Sequence, residues 1–349
     1  MFDLNSLLRD NIKRLVPYST ARDEFKGEAS IFLDANENSY GSPLPVKYNR
    51  YPDPMQWKVK YKLAEIKGVP PQNIFLGNGS DEVIDVLYRS FCRPGVDNVV
   101  LFPPTYGMYE VSANINDVIV RKVSLTPDTF QIDMAALQEA VDENTKLIFI
   151  CSPNNPTGNS IDRSEIEMIL NNFDGIVVVD EAYINYARQK TFIAELTEYP
   201  NLVVMQTLSK AWGLAALRVG MAFAGEEIIN VLNKVKAPYN INQSAQDLVL
   251  EALNNIVQVN EWIRDAVVER DKLAASLETL PQVEYVYPSD ANFLLAKTTD
   301  AKGIYNNLVE QGIIVRDRSK VELCGGCLRI TVGTPDENVA LVKAINNFK

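Results

Sequence analysis

The amino-acid sequence predicts an α/β fold, in which a large domain built on a mostly parallel sheet is followed by a smaller α+β domain. Three observations carry this expectation. Short apolar runs rich in Val and Ile recur through the first two thirds of the chain, and none alternates polar with apolar, as expected of strands covered on both faces. The segments between them are long enough for the helical crossovers that parallel strands require. Beyond about residue 240 the pattern changes, and a length of 349 residues allows two domains at roughly 100–200 residues each.

In chain order, residues 1–30 read as an N-terminal arm, a short amphipathic segment running into Pro17-Tyr18 and a polar stretch. MQWKVKYKLAEIK (55–67) has a helical pattern, and IFLGN (74–78) is a short apolar run. Gly79-Ser80-Asp81-Glu82 then leads into VIDVLYRSF at helical spacing, with Ser80 or Asp81 suited to cap that helix through a side-chain oxygen. NVVLF (98–102), KLIFIC (146–151), GIVVVD (175–180) and NLVVMQT (201–207) read as buried strands. One long helical stretch is expected from Ala245 to about Leu280. After it come strands VEYVYP (283–288), NFLLAK (292–297), GIIVRD (312–317) and CLRITVG (327–333) around a helix. The organisation expected is therefore an arm over 1–30, a large domain over 31–240 and a small C-terminal domain over 241–349.

Composition excludes several classes of function. With 34 basic against 45 acidic residues the net charge is -11, which opposes nucleic acid and anionic membranes as partners, because phosphate neutralisation needs clustered Lys and Arg. No apolar run approaches the roughly 20 residues that cross a bilayer. The N-terminal residues carry charges throughout and lack the apolar centre of a secretory signal, so a cytoplasmic location is expected. There is no histidine, which removes Ser-His-Asp and Cys-His nucleophile systems and leaves proton transfer to a tuned Lys, Asp, Glu, Tyr or Cys. Cys324-Gly-Gly-Cys327 has the spacing of half a zinc site, but without histidine the remaining ligands are missing, so no metal is expected and all four cysteines read as packing residues.

In a parallel sheet, ligands bind outside the carboxyl ends of the strands, and here several apolar runs end in polar loops that a core does not need. Asp180 ends a buried strand in Val179-Asp180-Glu181-Ala182-Tyr183; it either faces a cation or caps a helix. Lys210 follows another strand in TLSKAWGL (207–214), placed as a desolvated amine or as a surface charge. Arg218 lies eight residues on, before a further apolar run. Gly77-Asn78-Gly79-Ser80-Asp81 is a strand-to-helix turn whose glycines let backbone amides approach an anion. Ser152-Pro153-Asn154-Asn155-Pro156-Thr157-Gly158 is a rigid turn that presents an asparagine amide.

These segments together resemble the fold-type I aminotransferases dependent on pyridoxal 5'-phosphate (PLP), and within them the branch acting on histidinol phosphate. The resemblance runs from about Pro17 to Thr334 on LDANEN (33–38), YPDP (51–54), GNGSDE (77–82), SPNNPTG (152–158), DEAY (180–183), SKAWGLAALRVG (209–220), VRDRS (315–319) and CLRITVGT (327–334). It implies that Lys210 holds PLP as a Schiff base and later shuttles a proton, and that Asp180 pairs with the protonated ring nitrogen. It also implies that Asn155 and Tyr183 bond the ring oxygen, that Tyr106 stacks on the ring, and that the amides of Ser80 and Asp81 with Ser209 and Arg218 hold the cofactor phosphate. Tyr51 would reach that phosphate from the neighbouring subunit of a homodimer. Ala216 and Met221 depart from residues frequent in the family, while the arginine between them keeps its spacing.

For substrate, the resemblance implies L-histidinol phosphate with 2-oxoglutarate or glutamate as partner, in histidine biosynthesis. Arg329 is the family's carboxylate-gripping arginine, and Arg316 and Tyr18 are the positions that add donors for a phosphate. Arg316 is alternatively one member of a salt bridge within Arg316-Asp317-Arg318. Asn36 either contacts substrate or closes the arm. The competing readings are a PLP-dependent decarboxylase of a phosphorylated amino acid such as threonine phosphate, an aromatic aminotransferase, and a PLP-binding regulatory domain without turnover.

Overall fold

A computed structural model of the chain describes residues 2–20 and 29–348; the part of the expected arm over 21–28 lies outside the described residues. Seven strands form the main sheet: β1 (Ile74–Asn78), β2 (Asn98–Leu101), β3 (Ile119–Lys122), β4 (Thr145–Cys151), β5 (Ile176–Asp180), β6 (Leu202–Thr207) and β7 (Val219–Ala224). Their spatial order is β1-β7-β6-β5-β4-β2-β3. The pairs from β3 through β6 are parallel, and β7 alone is reversed against both β6 and β1. The sheet is mostly parallel, as the unalternating runs predict.

The two faces of this sheet build two cores. Along β5, Val177 and Val179 enter one cluster while Ile176 and Val178 enter the other, the period of two that an extended strand imposes. Because both faces are covered, every residue of β5, β6 and β7 is buried. The edge strand β3, sequence IVRK, is half exposed and charged. Those charges blunt an open edge, and they also hide the strand from an apolar-run reading. At the N-terminus, Leu7 and Ile12 pack into the same core as Val83, Phe91 and Val235.

A second, antiparallel sheet has the order β10-β11-β9-β8, from β8 (Val283–Val286), β9 (Phe293–Thr298), β10 (Arg316–Asp317) and β11 (Cys327–Thr331). Its own core joins Leu294, Leu328 and Ile330 to Ile304 and Leu341 from the flanking helices. Ala245, Val249, Leu253 and Val259 still pack with the main sheet, whereas Leu273 and Leu277 belong to the small core. The exchange between cores thus occurs along the Ile256–Glu278 helix.

Three local expectations need correction. The helix over Ser80–Phe91 is capped by Gly79, with no side-chain cap, so Ser80 and Asp81 sit inside its first turn and leave their amides free. The helical stretch after Ala245 is two helices, Gln243–Leu253 and Ile256–Glu278, broken at two consecutive asparagines, 254 and 255. GIIVRD contributes a strand of only Arg316–Asp317, because Gly312 turns the chain at φ 76° and Ile314 is exposed.

Candidate active site

The ends of β1, β2, β4, β5 and β6, together with the start of β7, meet at one edge of the main sheet. Their loops and the β10–β11 ribbon enclose a cavity of about 610 Å³. Five cations (Lys210, Arg218, Arg316, Arg318, Arg329) and two acids (Asp81, Asp180) line it, a positive site in an acidic chain. Of the residues singled out in the sequence, Ser80, Asp81, Tyr106, Asn155, Asp180, Tyr183, Ser209, Lys210, Arg218, Arg316 and Arg329 are all brought together here.

Asp180 closes β5 as a buried carboxylate. One oxygen accepts the Tyr109 hydroxyl at 2.5 Å and the other accepts the Ala182 amide at 3.0 Å. The short 3-10 helix that follows, Ile184–Tyr186, has Tyr183 and not Asp180 at its cap position; the carboxylate stabilises the turn before it and faces the cavity, which removes the helix-cap alternative. Burial raises its pKa above the ordinary carboxylate value, opposed by the Tyr109 and Ala182 hydrogen bonds. A cation placed against it would reverse that shift. Tyr109 was not singled out by sequence. Its signal was its place three residues after Tyr106, at the start of the Met108–Ile115 helix where both rings reach one spot and pack edge to face at 5.5 Å.

Lys210 stands just beyond β6, its Nζ 5.6 Å from the Tyr183 ring centre. The side chain is exposed and lines the cavity. Surrounding protein lowers its pKa, and the Arg329 charge lowers it further against the pull of Asp180. Ser209 is held beside it: its amide donates to the Thr207 hydroxyl at 3.1 Å, and the two hydroxyls pair at 3.0 Å.

The anion seat lies at the head of the Ser80–Phe91 helix. Gly79 adopts φ 76°, and its amide donates to the Arg218 carbonyl at 2.7 Å. A Cβ on Gly220 would lie 2.3 Å from the Ser80 nitrogen, so only glycine lets β7 press this close to the helix start. Arg218, itself left-handed at φ 55°, reaches back to Asp81 at 3.4 Å, and Asp81 also accepts the Tyr106 hydroxyl at 3.1 Å. Free amides, a helix dipole and a guanidinium share this corner, the arrangement that binds phosphate.

The opposite wall is the β10–β11 ribbon. Arg316 and Arg329 are direct partners across it. Arg329 donates to Asn155 Oδ1 at 2.5 Å, and Asn155 Nδ2 lies 3.3 Å from the Tyr183 hydroxyl, tying the small sheet to the SPNNPTG turn. Burial, then the charge of Arg318, lowers the Arg329 pKa. Asp317, the acid expected to bridge Arg316, turns instead to the Ser319 amide at 2.8 Å, whose hydrogen bonds hold its pKa down. Arg318 also lines the cavity, a role that its sequence, a charge beside Arg316 and Asp317, does not signal.

Three further residues named from the sequence stand apart within a single chain. Tyr51 stacks on Tyr239 at 4.5 Å and lines, with Asn36, a second cavity of about 560 Å³. Tyr18 is 75% exposed and lines neither cavity.

Comparison with known proteins accords with this geometry. The sequence model of the family described as aminotransferase class I and II matches residues 43–345. A curated histidinol-phosphate aminotransferase of Parabacteroides distasonis is 56% identical over 349 residues, covering all of both chains. One from Cytophaga hutchinsonii is 55% identical, covering 99% of each. Among solved structures, the histidinol-phosphate aminotransferase of Sinorhizobium meliloti, in complex with pyridoxal-5'-phosphate, superposes with a TM-score of 0.78 at 23% identity, over 90% of this chain and 89% of that one. That likeness carries the fold, and the family match carries the class: the chain belongs to the class I and II aminotransferases.

Proposed function

We propose that this chain carries pyridoxal 5'-phosphate on Lys210 and transfers the amino group of L-histidinol phosphate to 2-oxoglutarate, giving imidazole-acetol phosphate and glutamate. The observation that carries the reading is the cavity's division: a lysine and a buried carboxylate on one wall, paired guanidinium groups on the other. The full-length relatives bearing the name histidinol-phosphate aminotransferase support the same substrate.

The residues fit the cofactor. Asp180 is a buried carboxylate open to the cavity with only two neutral donors on it, and a pyridine nitrogen held protonated would supply its missing cation. Ser80, Asp81, Ser209 and Arg218 would hold the phosphate at the helix head, Tyr106 the ring face, and Asn155 with Tyr183 the ring oxygen. When bound, the cofactor supplies the electron-withdrawing ring that weakens the bonds of the substrate carbon bearing the amine. Lys210 Nζ would act as the base that takes up the proton from that substrate carbon and holds it for return in the same half-reaction. Burial, and then the Arg329 charge, lower its pKa and so favour the neutral amine that a base needs. Arg316 and Arg329 would hold the substrate phosphate in one half of the cycle and a carboxylate of 2-oxoglutarate in the other.

A homodimer completes the site in this reading. Tyr18, Leu33 and Tyr40 are exposed at 75%, 83% and 102%, large hydrophobic side chains that a second copy would cover. Tyr51, Tyr18 and Asn36 would then serve the neighbouring subunit's cavity. The four buried cysteines are unpaired, which suits a reducing, cytoplasmic setting, and no described helix is long and apolar enough to cross a membrane.

Purified protein mixed with histidinol phosphate and 2-oxoglutarate should produce glutamate in step with loss of the donor. Carbon dioxide released from threonine phosphate, with no glutamate formed, would overturn the proposal in favour of a lyase.

A further inference from the structure

We infer that Arg318 is a third guanidinium on the substrate's phosphate, a specificity-determining residue that makes the site favour a phosphate dianion over a carboxylate. The inference rests on the phosphate-bearing substrate proposed above and goes beyond it by naming what separates that substrate from the other amino donor.

The argument begins with strand register. Arg316 pairs with Arg329 and Asp317 with Leu328, and the Arg318 amide continues the ladder to the Cys327 carbonyl at 2.9 Å. Side chains alternate along a strand, so Arg316, Arg318 and Arg329 emerge on one face of the ribbon while Asp317 and Leu328 emerge on the other. The packing agrees: Leu328 is buried in the small core, and all three arginines line the cavity. Arg318 and Arg329 are diagonal neighbours, roughly 7–8 Å apart at the backbone in such a ladder and within reach of long side chains.

Three like charges on one face repel, and nearby acids are committed elsewhere. Asp317 turns to the Ser319 amide at 2.8 Å, and Glu322 accepts the Ser124 hydroxyl at 2.5 Å. Across the cavity, Asp81 holds Tyr106 and Arg218, and Asp180 holds Tyr109 and the Ala182 amide. Arg318 is partly buried, and its pKa is lowered by that burial and then by Arg316. Two guanidinium groups suffice for a carboxylate. A third, with no acid paired to it among the described residues, matches the second negative charge that a phosphate gains above a pKa of about 6.

The test follows the two half-reactions separately on the holoenzyme through the cofactor's absorbance, one with histidinol phosphate and one with glutamate. In Arg318→Met the half-saturating concentration of histidinol phosphate should rise about tenfold to a hundredfold, the loss of a hydrogen bond to a charged group, while that of glutamate moves by less than about threefold. Arg318→Lys should recover part of the loss, since it restores the charge without the fork. Lys320→Met, the same change of charge beside the ribbon, should behave as the parent. Inorganic phosphate titrated calorimetrically into the holoenzyme should bind Arg318→Met about tenfold more weakly, a readout independent of turnover. Equal weakening for both donors, or unaltered phosphate binding, overturns the inference. A parent enzyme that accepts glutamate but not histidinol phosphate would overturn the substrate reading instead, and the phosphate titration would still judge Arg318.

Discussion

The two walls of the cavity solve the problem of charge in opposite ways. On the main-sheet wall both acids and Arg218 have engaged partners: Asp180 accepts Tyr109 and an amide, and Arg218 meets Asp81. On the ribbon wall, guanidinium groups stand beside one another with their neighbouring acids turned away. The first wall is pre-set whether or not anything is bound, as catalysis by fixed dipoles requires. The second carries a repulsion that only an incoming anion relieves. The difference teaches that catalytic power and substrate choice are held by separate elements, the large sheet and the small one.

Four experiments press on that division. The largest effect is expected from the main-sheet wall: Asp180→Asn removes one partner of a buried charged group, worth roughly 3–5 kcal/mol, or on the order of a hundredfold to several thousandfold in rate. Both half-reactions should fall together; a loss confined to histidinol phosphate would break the comparison. Tyr109→Phe keeps the acid and removes one donor to it, so the same kinetics should show a smaller loss of about 1.5–3 kcal/mol. Next comes Gly220→Ala. Its new methyl would meet the Ser80 nitrogen at 2.3 Å, and overpacking of that kind costs roughly 1–3 kcal/mol. Thermal unfolding should show the destabilisation and a titration with pyridoxal 5'-phosphate a weakened affinity, without a change in preference between donors.

The smallest effect links the walls through pH. Lys210, once released by the incoming amine, must be unprotonated to act as the base, so kcat should rise with pH through its pKa, and burial and then Arg329 put that limb below the ordinary lysine value of 10.5. Removing a positive charge raises the pKa of an amine. In Arg329→Met the limb should therefore move to higher pH, in addition to any loss of substrate affinity. A limb that stays in place would mean that the ribbon does not act on Lys210 electrostatically.

Much of the fold was legible because burial on both faces forces a recognisable composition. β2, β4, β5 and β6 are apolar along most of their length, and the polar loops after them mark the ligand edge of the sheet. β3 escaped because an edge strand is charged, and the break at Asn254 and Asn255 escaped because asparagine is tolerated inside helices as well as at their ends. Within the site, Lys210 and Asp180 stand out because a charge at the end of a buried strand needs a reason to be there. Tyr109 gives no such signal, since a buried tyrosine is ordinary until its hydroxyl is seen on a carboxylate.

The sequence by itself determined which strands are buried, where their loops end and what chemical groups those loops carry, since these follow from local composition and from the period of a strand or helix. It could not determine which of three nearby ionisable groups in Arg316-Asp317-Arg318 faces the cavity, or that Asp317 abandons its neighbours for the Ser319 amide. Nor could it tell that Gly220 is held against the helix head, or that Asn36 lies outside the cavity of its own chain. Those facts depend on pairing register and on contacts between residues far apart in sequence, and only the assembled fold brings such residues within reach of one another.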